Sequence, residues 1–229
     1  MNSVLLWKAI LGLVAGATVT TGTIYFGTDL FRGEQKIEKK TISTLLRDLN
    51  PDKRLLTSDI EASNQVWKDA WANYRNNNKE SNPWGIKTWS KVTQSVQSGD
   101  NAPDDFVSKC VYQGNLRVSN GSDSLYENAL KYCTRDTLVE DLVKESGRSL
   151  REKGDGKSSE WKALWTKYRE ANKNKGVGQD EWKISDNTWS SVTEEDAPEK
   201  FRNKCETESK LKESKFGSDS VQRVLSYCT

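Results

Sequence analysis

Four cysteines and nine tryptophans are the residues of this chain best suited to special chemistry, and histidine is missing altogether. The cysteines fall as two pairs, Cys110 with Cys133 and Cys205 with Cys228, each with 22 residues between. A nucleophilic thiol wants a histidine base and a Cys₄ zinc site wants two close pairs of ligands; the chain has neither histidine nor a CxxC. Equal spacing in the two halves predicts one disulfide within each half. Three connectivities are formally open, and so is the alternative of four buried thiols at matching core positions. Closing a loop of this size would stabilise a small unit by about 3 kcal/mol in the chain-entropy model, in an oxidising compartment.

The tryptophans offer recognition chemistry. WKDAWANYR at 67–75 returns as WKALWTKYR at 161–169. Exposed rings of this kind could form a sugar platform or grip a partner, because an aromatic face gives large contact area at small entropic cost. Trp67, Trp71 and Tyr74 stand at i, i+4, i+7, however, as do Trp161, Trp165 and Tyr168, and that spacing is the core stripe of a helix. Trp89 and Trp189, in WSKVT and WSSVT, are assigned to the core likewise. Trp84 and Trp182 lie among polar neighbours and are the candidate ligand-contact aromatics.

Paired carboxylates are the remaining chemistry. Asp104 with Asp105, and Glu194 with Glu195, could in principle divide acid and base roles. Only the first pair lies in the A-P-x-x-F block, and Glu199 with Lys200 stands at the matching place, so helix-start electrostatics is the better reading. KNKGVG at 173–178 lacks the GK[ST] and preceding strand of a phosphate loop and reads as a turn. No catalytic, cofactor-binding or metal-ligating set is identified, and a carboxylate-dependent hydrolase is the remote alternative.

These residues sit in a duplicated frame. TLLRDL at 44–49 aligns with TLVEDL at 137–142, NAPDDFVSKC with DAPEKFRNKC, and GSDSLYENALKYCT at 121–134 with GSDSVQRVLSYCT at 217–229. Two units follow, 41–134 and 135–229, joined without a linker; two copies are too few for a solenoid and suit a tandem pair of small domains. Helical spacing runs through Ile60, Trp67, Trp71 and Tyr74 from a start at Ser58 or Asp59, and through Leu125, Tyr126, Ala129, Leu130 and Cys133. Pro103 and Pro198 fall at first-turn positions. Only VYQGNLRV at 111–118 hints at a strand, and its counterpart ETESKLKE does not. The expected class is all-α.

From Ala9 to Thr28 there are 20 uncharged residues, long enough to cross a hydrocarbon core of about 30 Å as a helix. Residues 1–30 are read as a transmembrane or signal-anchor segment, with a cleavable signal peptide cut after Ala15–Ala17 as the other reading. Gly12 and Gly16 make a GxxxG, more often incidental in a Gly-rich leader than a dimer contact. Lys8 before the span weakly places the N-terminus inside and the rest outside. The chain carries 35 basic and 33 acidic residues, net +2, spread over both halves. Nucleic acid, which needs a field of one sign, is excluded as a partner.

The short Ala/Gly/Thr-rich leader, the WxxxWxxYR helix, the A-P-x-x-F-x-x-x-C block and the closing Tyr-Cys-Thr together resemble a large paralogous family of surface or membrane-associated proteins in haemotropic mycoplasmas. The resemblance covers nearly the whole chain, as two units where such proteins usually carry one. It carries over no catalytic residue. It implies a surface or membrane-associated protein of a blood parasite that serves antigenic variation or host-cell attachment; joined to the span at 9–28, the expectation is a single-pass protein of the cell membrane displaying its C-terminal part outside as an adhesin or variable antigen for a host-cell surface protein or glycan. A scaffold binding another membrane protein is the alternative; the oligomeric state is left open.

Overall fold

The computed structural model of the chain describes residues 38–186, 189 and 195–229. Among these the order is β1 (Lys40–Thr41), α1 (Ile42–Leu49), β2 (Lys53–Leu55), α2 (Gln65–Asn77), α3 (Asp104–Asn115), β3 (Arg117–Val118), α4 (Ser124–Tyr132), β4 (Thr134–Asp136), α5 (Val139–Glu145), α6 (Ser159–Asn172), α7 (Glu199–Ser209) and α8 (Asp219–Tyr227). The expected all-α class is thereby corrected. β1 pairs antiparallel with β3, and β2 with β4, forming two small two-stranded sheets. The strand hint at 111–118 proves to be mostly the end of α3, with only Arg117–Val118 extended. No helix among the described residues is long and apolar enough to cross a membrane. The expected anchor at 1–30, including residues 9–28, Gly12, Gly16 and the Ala15–Ala17 cleavage site, lies outside the described residues.

Local chemistry sets the helix ends. Orphan N–H groups of a first turn need acceptors. Thr41 supplies one to Thr44, Asn64 to Val66, Asp123 to Leu125 and Ser158 to Trp161. α2 accordingly starts at Gln65, behind Asn64, and not at Ser58 or Asp59; residues 58–63 are turns, closed by Ile60 N–H on the Thr57 carbonyl and Asn64 N–H on that of Glu61. Pro103 and Pro198 occupy the N-cap positions of α3 and α7, one residue before the expected place. Neither has a side-chain cap, and Asp104, Asp105 and Glu199 complement the positive helix ends instead.

The repeat is visible in the packing. Ile42 N–H donates to the Leu116 carbonyl at 2.9 Å, and Val139 N–H to that of Leu211 at 2.9 Å. The β1–β3 pairing recurs as a single bridge between Leu138 and Lys212. These bonds match Ile42, Leu45 and Leu46 with Val139, Leu142 and Val143, all buried. The TLLRDL/TLVEDL alignment is therefore out by four residues, close to one helical turn. Leu49, which that alignment sets beside buried Leu142, is 53% exposed.

One apolar cluster runs from Val139 to Cys228; two serve the first repeat, around Trp67 and around Ile42. Glu38–Thr229 form one compact unit, and the β2–β4 ladder crosses the Thr134/Arg135 boundary. Lys53 pairs with Asp136 at 2.6 Å, and Arg54 reaches Thr137 Oγ1 at 2.9 Å and Glu145 at 3.0 Å.

Candidate functional site

In each repeat the aromatic helix is central. Trp67, Trp71 and Tyr74 are buried, as are Trp161, Trp165 and Tyr168. Phe106 of α3 meets all three rings of α2, and Phe201 of α7 all three of α6, with centroids 5.0–6.2 Å apart. Such offset and edge contacts add to the stabilisation from burial. Arg75 and Arg169, the last residue of each motif, lie over Trp71 and Trp165 at 5.6 and 5.3 Å and pair with Asp100 at 2.7 Å and Glu195 at 3.0 Å. The fourth motif residue thus ties the helix to the far end of the following loop.

Trp84 and Trp182 are brought to the core. Trp84 stacks on Tyr74 at 4.9 Å and Trp182 on Tyr168 at 5.0 Å, and each meets the tyrosine before the second cysteine, Tyr132 or Tyr227, edge-on at 5.4 Å. Trp182 is only 6% exposed, with no open stacking face, whereas Trp84 is half-buried and keeps part of its surface in solvent. Trp89 and Trp189 are partly buried against the same clusters.

The long connections, residues 78–103 and 173–198, are pinned by a polar anchor absent from the sequence reading. In the first, Tyr74 hydroxyl donates to Asn82 Oδ1 at 3.1 Å and accepts from Trp84 N–H at 3.1 Å, while Asn82 bonds both the N–H and the carbonyl of Ile86. In the second, Tyr168 hydroxyl donates to Asp180 Oδ2 at 2.5 Å and accepts from Trp182 N–H at 2.9 Å. Asp180 also accepts from Ile184 N–H at 2.9 Å, Ser185 N–H at 3.0 Å and Ser185 Oγ at 2.6 Å. Burial opposes its ionisation, but the bonds from Ser185, Tyr168 and Ile184 prevail and hold the carboxyl at about 2. Burial, then the Asp180 carboxylate, pushes the Tyr168 phenol far above its usual range. The asparagine-for-aspartate exchange hid this pair from sequence matching.

Cys110 and Cys133 form a disulfide, as do Cys205 and Cys228, with Cα atoms 5.3 and 5.6 Å apart. Each joins the helix after the long loop (α3, α7) to the end of the last helix of its repeat (α4, α8), and its cysteines belong to the same apolar clusters as the aromatic rings. Asp104 and Asp105 do not converge on a partner acid: Asp105 accepts from Lys87 N–H at 2.6 Å and Thr88 Oγ1 at 3.4 Å. Lys200, in the matching position, pairs with Asp186. Glu194 lies outside the described residues, and Glu195 holds Arg169. No group of three His, Cys, Asp or Glu that could hold a metal is found among the described residues.

Two clefts remain. One of about 1210 Å³ lies between repeats, over the ion pairs Arg54–Glu145, Arg135–Asp141 (2.6 Å) and Lys210–Glu140 (2.6 Å). The other, about 740 Å³, lies beside Arg148–Glu152 and Thr229. Basic and acidic side chains are mixed in both. No protein-family model, curated protein or solved structure matches the chain.

Proposed function

We propose that the chain is a non-catalytic recognition protein that works outside a reducing compartment, held at the cell membrane through residues 9–28, with its two repeats displayed outward as an adhesin or variable antigen. The observation that carries this reading is the pinning of residues 78–103 and 173–198. Connections of this length in a packed domain are usually functional, and here fixed anchors (Trp84 and Trp182, Asn82 and Asp180, buried Ala102 and Ala197) hold loops whose described intervening residues are largely exposed. A rigid frame carrying loops free to vary is what recognition of a host-cell surface protein or glycan requires. The buried disulfides support an oxidising location, and the resemblance to surface proteins of blood parasites supports the host cell as the target.

The test is binding of the 34–229 fragment, which includes the compact unit, to intact host erythrocytes. Saturable binding that falls on reduction of the disulfides, and that moves with the loops when 87–101 is exchanged for an unrelated loop of equal length, is expected. Absence of binding by the oxidised fragment, or four free thiols in protein recovered from its source, refutes the reading.

A further inference from the structure

The two disulfides stand at matched places with unmatched surroundings. In the first repeat Leu56, whose N–H donates to the Cys133 carbonyl at 2.8 Å, is 2% exposed and packs in the same apolar cluster as Cys110 and Cys133. Val107, Val111 and Asn115 flank Cys110 along α3. All four of these neighbours are uncharged. In the second repeat Arg151, whose N–H donates to the Cys228 carbonyl at 2.8 Å, answers Leu56, and Arg202, Glu206 and Lys210 stand at the places of Val107, Val111 and Asn115. All four are charged.

The exchange opens the second disulfide to solvent. Leu56 closes the first core, whereas Arg151 is exposed. Besides the two larger clefts, a pocket of about 240 Å³ reaches Cys205 and Cys228 over Leu150 and Trp161. Cys205 is 5% exposed against 1% for Cys110. The first disulfide is covered from within its own repeat, since the apolar cluster around it contains no residue after Cys133 among the described residues. The contrast therefore comes from the side chains at matched places.

The rim of this pocket is cationic. Lys210 pairs with Glu140 at 2.6 Å and Lys153 with Glu206 at 3.5 Å, which balances both carboxylates that line it. Arg202 gives its donors to the carbonyls of Ala197, Lys153 and Gly154. Arg151 forms no salt bridge among the described residues, although its field reaches exposed Glu160. Two guanidinium charges thus exceed the carboxylates of the rim. A disulfide is opened by a thiolate, at a rate set by access and by how well the departing sulfur carries negative charge. Neighbouring cations draw in an anionic thiol and stabilise the thiolate that leaves.

We propose that Cys205–Cys228 is a thiol-exchange site for small anionic thiols, entered through this pocket, while Cys110–Cys133 stays closed. The incoming thiolate attacks Cys205 Sγ and forms a mixed disulfide; the S–S bond breaks and its electron pair leaves on Cys228 Sγ beside Arg151. A second thiolate attacks the external sulfur, releasing the oxidised small-molecule disulfide and the Cys205 thiolate. Two thiols are oxidised and one protein disulfide is reduced, which unfastens α7 from α8 in the second repeat alone. The inference does not rest on the recognition role proposed above.

The experiment treats the folded, oxidised full chain with reduced glutathione, and in parallel with the neutral thiol 2-mercaptoethanol. Acid quenching, alkylation and mass spectrometry then follow each cysteine pair separately. With glutathione the second disulfide is expected to open at least about tenfold faster than the first. That rate should rise in proportion to thiol and fall between about 20 and about 500 mM sodium chloride more steeply than the 2-mercaptoethanol rate. Arg151→Gln, which keeps a polar side chain and removes the charge, narrows the preference for glutathione; if circular dichroism shows that variant misfolded, the salt dependence of the parent decides alone. Equal rates at the two disulfides, a rate that does not rise with thiol, or a glutathione rate indifferent to salt overturns the proposal.

Discussion

Replacing Asp180 with Asn separates the contribution of a buried charge from that of a hydrogen-bonding side chain of the same shape. The first repeat manages with a neutral group: Asn82 Oδ1 accepts from Tyr74 and Ile86 N–H, and its Nδ2 donates to the Ile86 carbonyl. Asp180, 2% exposed, instead receives four donors, Tyr168 hydroxyl, Ile184 N–H, Ser185 N–H and Ser185 Oγ. An amide offers one oxygen to them and turns its NH₂ against the rest. The carboxyl is held at about 2 against an ordinary 3.8, a gap that amounts to about 2 kcal/mol of folded-state stability when ionised. Because the folded value is the lower one, this stability is complete above the unfolded value, shrinks as pH falls below about 4 and is lost near 2. With unmatched donors costing about 1–3 kcal/mol, D180N is expected to lose about 3 kcal/mol at pH 7, and its deficit is expected to narrow by about 2 kcal/mol by pH 2. Urea unfolding followed by tryptophan fluorescence, at several pH values with disulfides intact, measures both. An Asn variant as stable as the parent at pH 7, or a deficit constant with pH, would refute the reasoning.

The double change Cys110→Ser with Cys133→Ser lowers stability by about 3 kcal/mol in the chain-entropy model, read as a shift of the urea midpoint. Phe201→Ala removes the ring that touches Trp161, Trp165, Tyr168 and Trp182 and costs about 3–5 kcal/mol by the same assay. Gly156 has φ +82°, and an added Cβ would run into the Ala197 carbonyl, whereas Gly85, at φ +63°, has open space; thermal melts should show Gly156→Ala costing well above the roughly 1 kcal/mol of Gly85→Ala. Arg54→Ala removes the bonds to Thr137 and Glu145 but leaves the β2–β4 backbone ladder, so about 1 kcal/mol is lost and the fold persists by circular dichroism.

The core was legible because its signal is periodic and doubled. Trp67, Trp71 and Tyr74 declare a helix face by spacing alone, and two cysteine pairs at equal separation point to one disulfide within each half. Strands of two or three residues carry no period to detect, so those at Lys40, Lys53 and Thr134 escaped, and the one at Arg117 showed only as a hint spread over 111–118. The four-residue slip between α1 and α5 has a related cause: moving an amphipathic pattern by about one turn leaves its apolar face nearly unchanged, and the β1–β3 and Leu138–Lys212 pairings were needed to fix the match. Trp84 and Trp182 misled because chain neighbours are not spatial neighbours. Their polar surroundings are turned outward by a loop whose return to Tyr74 and Tyr168 depends on Asn82 and Asp180, residues of different type in the two copies.

That last exchange belongs to a wider asymmetry between the repeats. The aromatic and disulfide positions are matched almost residue for residue, while the polar groups that fasten loops to them are rewritten. Asn82 is answered by Asp180, and Asp105, which receives the Lys87 amide, by Lys200, which reaches Asp186. Val107, packed on the first core, is answered by Arg202, which instead binds the carbonyls of Lys153, Gly154 and Ala197. Substitutions of this kind leave the burial of Phe106 and Phe201 untouched and so carry little stability penalty in the core. They change which charges stand at the loop bases and at the repeat edge. For the recognition role proposed above, a duplicated scaffold that keeps its nails and exchanges its surface charge would present two different faces to partners, and selective binding by one repeat is the outcome that role predicts.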